Sequence, residues 1–219
     1  MLPKVIMHNE ISLDGSIKGF DVDIGTYYRV AIGYKPDAIL VGSITAKSAI
    51  NKVSPEKKAD FKKPDTSKDD KKPYWVIPDS SGTLKGLLHM FRRFDYSRDV
   101  IILASEKSPS SYLKYLDERE YDYILAGKEY IDYEKALGIL SKRYKSRKVL
   151  TDSGGILNSI LIELGLVSEI SMIISPVLVG MRGTGLFRSL GLTSGLKLKL
   201  VQNKVLENGC LLLVYEVLK

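Results

Sequence analysis

Cysteine and histidine are scarce: Cys210, His8 and His89 are the only ones in 219 residues. A lone cysteine excludes an internal disulfide framework, and two histidines beside it make no recognisable zinc-ligand pattern. No metal site is therefore expected. His8, in a strand-like run, and His89, in the apolar stretch GLLHMF, are read as structural, and Cys210 in CLLLVY as a small core residue. No apolar run approaches the roughly 20 residues a membrane span needs. His8, Asn9 and Glu10 break the N-terminal stretch where a signal peptide would be apolar. A soluble, cytoplasmic protein is expected. Also missing are GxSxG, which leaves hydrolysis without support, and the GxGxxG and GxxxxGK[ST] phosphate loops.

Acidic residues are outnumbered, 26 to 33, for a formal charge of +7. The excess is not concentrated on a recognition motif. From Asn51 to Pro73 the lysines are interrupted by Glu56, Asp60, Asp65, Asp69 and Asp70, the pattern of a solvated loop. SKRYKSRK, Ser141 to Lys148, closes a helical segment, where cations complement the helix dipole without a ligand. Neither cluster interleaves stacking aromatics, so nucleic acid is not expected as a partner.

Short apolar runs alternate with helical patterns. Val5–Met7, Ala38–Val41, Trp75–Ile77, Val100–Ala104, Tyr123–Ala126 and Val149–Thr151 read as strands. Helices are expected at Ile24–Tyr34, Leu84–Phe94, Ser110–Asp117, Tyr133–Tyr144 and Ile156–Leu164. After Gly165 the strands Glu169–Val179, Lys197–Val201 and Leu211–Val217 follow with little room for crossover helices, and Glu207–Gly209 signals a hairpin. The expected fold is α/β, three-layered, with a mostly parallel mixed sheet and a C-terminal antiparallel hairpin. The whole chain, 1–219, is expected to form a single domain, with a mobile lysine-rich insertion at 51–73.

One junction stands out. In VLTDSGGIL, Val149 to Leu157, two glycines sit between a strand and a helix start, where free N–H groups at the positive end of a helix can hold a phosphate. A plain tight turn fits the same residues. Asp14, in SLDG just past the first strand, offers a carboxylate where open α/β sheets bind ligands, or simply a turn-forming Asp-Gly pair. Asn9 and Ser12 beside it could hydrogen-bond a substrate or cap backbone groups.

Three segments in this order, ISLDGSI (Ile11–Ile17), DAILVGSIT (Asp37–Thr45) and DSGGILNSILIELGLVSEISMIISPVLVG (Asp152–Gly180), resemble the pyrimidine reductase family of riboflavin biosynthesis. That family shares its fold with dihydrofolate reductase. The resemblance implies an NADPH-dependent reductase that converts the ribosylamino group of a phosphorylated diaminopyrimidine to ribitylamino. It implies that Gly154, Gly155, Ile156 and Leu157 hold the cofactor diphosphate, with Gly42, Thr45 and Ser80 beside the nucleotide. Ser105 and Lys107 are candidates for the 2′-phosphate. Asp14 would contact substrate or deliver a proton, and Asn9, Ser12 and Ser153 would lie near the pyrimidine. Many family members have Glu where this chain has Ser153, and the segment after Thr45 also departs from the common pattern. A different pterin-like or carbonyl or imine substrate is thus one alternative, and a nucleotide- or nucleic-acid-binding protein without turnover another. A homodimer is expected from the apolar C-terminal strands.

Overall fold

The computed structural model describes residues 1–50, 52–65, 71–187 and 189–218. In chain order its elements are β1 (Lys4–Ser12), α1 (Ile24–Gly33), β2 (Ala38–Leu40), α2 (Ser43–Ser48), β3 (Tyr74–Pro78), α3 (Leu88–Arg92), β4 (Val100–Ala104) and α4 (Ser110–Glu118). There follow β5 (Asp122–Leu125), α5 (Tyr133–Arg143), β6 (Lys148–Thr151), α6 (Gly155–Glu163), β7 (Val167–Ser175), β8 (Leu198–Val205) and β9 (Leu211–Val217). The chain divides into two compact units, one of Met1–Pro3 with Asp37–Arg147, the other of Lys4–Pro36 with Lys148–Lys219.

In the first unit β5, β4, β3 and β2 pair in that order, all parallel. Alternation along the strands sends Ile39, Trp75, Ile77, Val100 and Ile102 into one core with Ala46 of α2, Leu88 and Phe91 of α3, and Tyr112, Tyr115 and Leu116 of α4. α5 forms where the caps favour it. Asp132 accepts the Lys135 amide at 2.9 Å, Glu134 lies in the first turn, and Lys142 and Arg143 close the last.

The second unit is mixed. β6, β1 and β7 are parallel, and β9 and β8 continue antiparallel from β7. One face of β1 carries Ile6, which packs with Ala31 of α1 and Leu150 of β6, and His8, whose ring lies 4.5 Å from that of Tyr27. The opposite face carries Asn9, bonded to Asn158 of α6. Helices on both faces make this unit three-layered. Nine strands, mostly parallel with a C-terminal antiparallel hairpin, are the expected fold class.

Local differences have local causes. The helix expected at Leu84–Phe94 is α-helical only over Leu88–Arg92, because the Asp79 carboxylate ties the Thr83 and Leu84 amides into a turn and Gly86 adopts φ +81°. β7 stops at Ser175 rather than Val179, since Pro176 offers no N–H to a ladder. α2 was not anticipated.

Of the lysine-rich insertion, residues 51 and 66–70 lie outside the described residues. Its stretch 54–62 is held by arginines. Arg93 pairs with Asp60, and Arg119 donates from Nε to both Glu56 oxygens at 3.0 Å. Arg92 is 5% exposed at its side chain; it pairs with Asp99 at 2.9 Å and donates to the carbonyls of Asp60, Lys62, Arg119 and Glu120. Arg92→Met leaves Asp99 without its cation, with only the Val100 amide at 2.7 Å, and takes the donor from these carbonyls, so we expect a loss of about 3–5 kcal/mol in urea unfolding.

Candidate active site

In the second unit three loop segments meet. The turn after β1 runs through Ser12 and Asp14 to Ile17, and the chain after β7 comes back against it. Leu13 N donates to Val177 O at 2.9 Å, Ile17 N to Thr184 O at 2.9 Å, and Ser16 bridges Gly185. Asp14 fastens this clasp. Its carboxylate accepts from Gly180 N at 2.7 Å, Val179 N at 3.2 Å and Ser12 Oγ at 2.5 Å. The Ser12 hydroxyl and the two amides hold its pKa down to about 2. These three donors favour its ionised form, the environment of an anchor for the clasp rather than of a proton donor. Ser12 is likewise engaged, accepting the Ser16 amide at 2.9 Å while donating to Asp14.

The third segment is DSGG. The residue that shapes it was missed in the sequence. Asn158, fully buried on α6, donates to Asn9 Oδ1 at 2.8 Å and to Ser153 O at 2.9 Å, and accepts from Thr151 Oγ1 at 2.8 Å. Asn9 Nδ2 also donates to Ser153 O at 2.8 Å. Asn9, expected near substrate, thus spends its amide on the turn. The signal available in the sequence was an Asn within the apolar run ILNSIL.

Gly154 precedes α6 in extended geometry, φ −75° and ψ −178°, with no side-chain cap, and the helix has no acidic residue in its first turn. α1 and α5 instead open on Asp23 and Asp132, whose carboxylates accept a first-turn amide. The start of α6 therefore fits an anion: its amides lie at the positive end of a helix dipole without a competing carboxylate. Ile156 there is 62% exposed, and Ser153 and Leu157 are buried.

Gly155 has a different reason. A Cβ on it would press into the carbonyl oxygen of Leu186, whose carbonyl carbon would be 3.3 Å away. The glycine is required by the chain's own return loop, whatever its amide binds.

Carboxyl groups and a histidine line the α1 face. Asp152 accepts from the phenols of Tyr27 at 2.8 Å and Tyr28 at 3.3 Å, and burial raises its pKa. Glu10 accepts from Ser175 Oγ at 2.6 Å and is raised by the same cause. His8, held between Ser171 Oγ at 2.9 Å and Tyr27 O at 3.4 Å, is pushed down to about 4 by burial and stays neutral. Among the described residues no group of three His, Cys, Asp or Glu is arranged to hold a metal ion, and no helix is long and apolar enough to cross a membrane.

The other expected cofactor residues belong to the first unit. Gly42 precedes α2, and Thr45 lies in its first turn. Ser80 follows Asp79, which is buried and bonded to the Thr83 hydroxyl and to Tyr112 OH. Ser105 does not fit a phosphate: it is buried, and its hydroxyl donates to Glu129 O at 3.1 Å. Lys107 is paired with the Glu129 carboxylate, a charge that repels an anion.

Residues 3–212 match the family model described as the RibD C-terminal domain. The chain belongs to the RibD C-terminal domain family. A pyrimidine reductase-like protein of Corynebacterium diphtheriae has a similar fold, with a TM-score of 0.74 and 16% identity over 99% of this chain and 92% of that one. Rib7, the riboflavin biosynthesis reductase of Saccharomyces cerevisiae, gives 0.70 and 18% over 99% and 90%. RibD of Acinetobacter baumannii gives 0.70 and 18%, but this chain spans only 58% of its length. No curated protein matches the sequence. The clasp and the DSGG turn are two of the segments that carried the family resemblance.

Gly155→Ala tests the packing reason for that glycine. We expect a loss of about 1–3 kcal/mol in a thermal melt, with faster hydrogen exchange over residues 184–187, as overpacking against a backbone carbonyl forces the loop away. Unchanged stability and exchange would contradict it.

Proposed function

We propose that this chain is an NADPH-dependent oxidoreductase of riboflavin biosynthesis. It reduces the ribosylamino group of a phosphorylated diaminopyrimidine to ribitylamino. The observation that carries the reading is the start of α6, a nine-residue helix opening on Gly154 and Gly155 with neither a capping side chain nor an acidic first turn. It lies within a chain whose residues 3–212 match a single family model, which also supports treating the two units as one reductase domain.

The nicotinamide supplies a hydride when the cofactor is bound. The chain supplies the rest. Backbone amides of Gly154, Gly155, Ile156 and Leu157 take the diphosphate, which replaces the partners that first-turn amides lack within a helix. Gly42, Thr45 and Ser80, in the first unit, are proposed as nucleotide contacts on the family resemblance alone. Ser153, held by Asn9 and Asn158 through its carbonyl, faces the substrate where many relatives have Glu. Asp14 keeps the clasp closed around this turn and transfers no proton. Orientation of the reacting carbon against the hydride donor is the main contribution of such a site.

The decisive measurement is NADPH absorbance under anaerobic conditions with the ribosylaminopyrimidine phosphate. We expect stoichiometric oxidation of NADPH. Saturable binding of NADPH without its oxidation would defeat the reading.

The same reading makes the chain a cytoplasmic homodimer. β8 is exposed along its length, with Leu198, Leu200, Val201 and Val205 each more than 40% accessible, more apolar surface than an edge strand carries in isolation. Light scattering at micromolar concentration is expected to give twice the single-chain mass of 24.4 kDa. The single-chain mass alone would contradict a dimer.

A further inference from the structure

The reduction just proposed needs a proton as well as a hydride, and the clasp leaves Asp14 unable to give one. The geometry points to Asp152, oriented by the phenols of Tyr27 and Tyr28, as the acid that protonates the substrate nitrogen; this rests on the reductase reading.

Asp152 directly follows β6 and stands two residues before Gly154, at the C-terminal strand edge where ligands of parallel sheets bind. Thr151 turns its hydroxyl to Asn158 of α6, so the next side chain, Asp152, turns the other way and meets α1. Its two oxygens are inequivalent. Oδ1 accepts the Tyr27 phenol at 2.8 Å, and that phenol is fixed in turn by His8 O at 3.1 Å and by the His8 ring against it. Oδ2 has only the longer bond from Tyr28, at 3.3 Å. Both Asp152 and Tyr28 are partly exposed, whereas Tyr27 is buried. The arrangement clamps one oxygen and leaves the other, beside the partly exposed Tyr28, to hold a transferable proton.

Burial favours the protonated acid, as the raised pKa of Asp152 reflects. No cation opposes it in this cluster. The titratable groups that bond to it are Tyr27 and Tyr28 on α1, and on the far side of Tyr27 stand Glu10 and His8 of β1, the latter neutral. In the step itself the imine carbon C1′ receives the hydride, the imine nitrogen takes the proton from Asp152 Oδ2, and the C=N double bond becomes a single bond. The nicotinamide is oxidised and the substrate reduced. The carboxylate left behind keeps both phenol donors, which stabilise it until solvent returns a proton by way of the exposed side.

Asp152→Asn preserves an acceptor for Tyr27 and removes the acid. With the ribosylaminopyrimidine phosphate and NADPH we expect kcat to fall about a hundredfold, with NADPH affinity unchanged, and the alkaline decline of the wild-type pH profile to vanish. Tyr28→Phe removes one donor to the carboxylate, so its alkaline limb is expected to move to higher pH with little change in KM. Should Asp152→Asn fail to fold, that limb decides alone: a shift supports the assignment, and an unmoved limb overturns it. Wild-type rates and pH profiles in both variants overturn the role of Asp152 while leaving the reductase reading intact. A wild-type protein that binds NADPH but reduces no pyrimidine overturns both.

Discussion

The buried amide of Asn158 is the interaction on which the second unit depends. A strand must end at Thr151 and a helix must start at Gly155, leaving three residues to turn the chain, and the middle one, Ser153, is buried, so its carbonyl needs a partner within the protein. Asn158 solves this from one turn into the helix: its two N–H groups and its oxygen reach Ser153 O, Asn9 and Thr151, so each polar group of the network has a partner. Each such bond is worth about 1 kcal/mol net, but an orphaned buried amide costs more than that. An apolar residue at this point would strand Asn9 and the Ser153 carbonyl together. The turn is therefore held from within, and the amides at the start of α6 are left for something else.

The two adjacent glycines have separate explanations. Gly154, extended and without a capping side chain, opens the helix, while Gly155 admits the carbonyl of Leu186. The return loop that delivers this carbonyl is in turn fixed by Asp14, whose carboxylate gathers amides from beyond β7. A sequence displays SLDG, DSGG and PVLVG as three distant strings. In the folded unit they form one clasp, and the charge of Asp14 is consumed in closing it.

Most of the fold was legible in the sequence because the apolar runs are short and each is followed by a helical period. The central strands and α1, α4, α5 and α6 fall where hydrophobic patterning puts them. Patterning failed where side chains override it. Asp79 pulls Thr83 and Leu84 into a turn within an apolar stretch that reads as helix, and α2 spans only six residues, too few to establish a period. The site was legible in its glycines, which carry a family signature, but not in its polar interior. Asn158 and Asp152 act through partners 149 and 125 residues away in the chain, Asn9 and Tyr27, and no local pattern reveals such pairings.

The same limit explains why the two carboxylates sit in environments their sequence context does not show. Asp14, beside a glycine in a loop, looks available in the sequence, while nothing in the string DSGG sets Asp152 apart. Folding reverses this. Exposed Asp14 meets two backbone amides and a hydroxyl, all of which favour its charge, whereas Asp152 is turned under α1, where loss of water disfavours charge more than two neutral phenols restore it. A carboxyl group is an acid or an anchor according to what its environment does to its ionised form, and that environment is assembled by strand direction and helix packing. One residue's step along β6, from Thr151 facing α6 to Asp152 facing α1, is enough to place a carboxyl group where burial favours its protonated form.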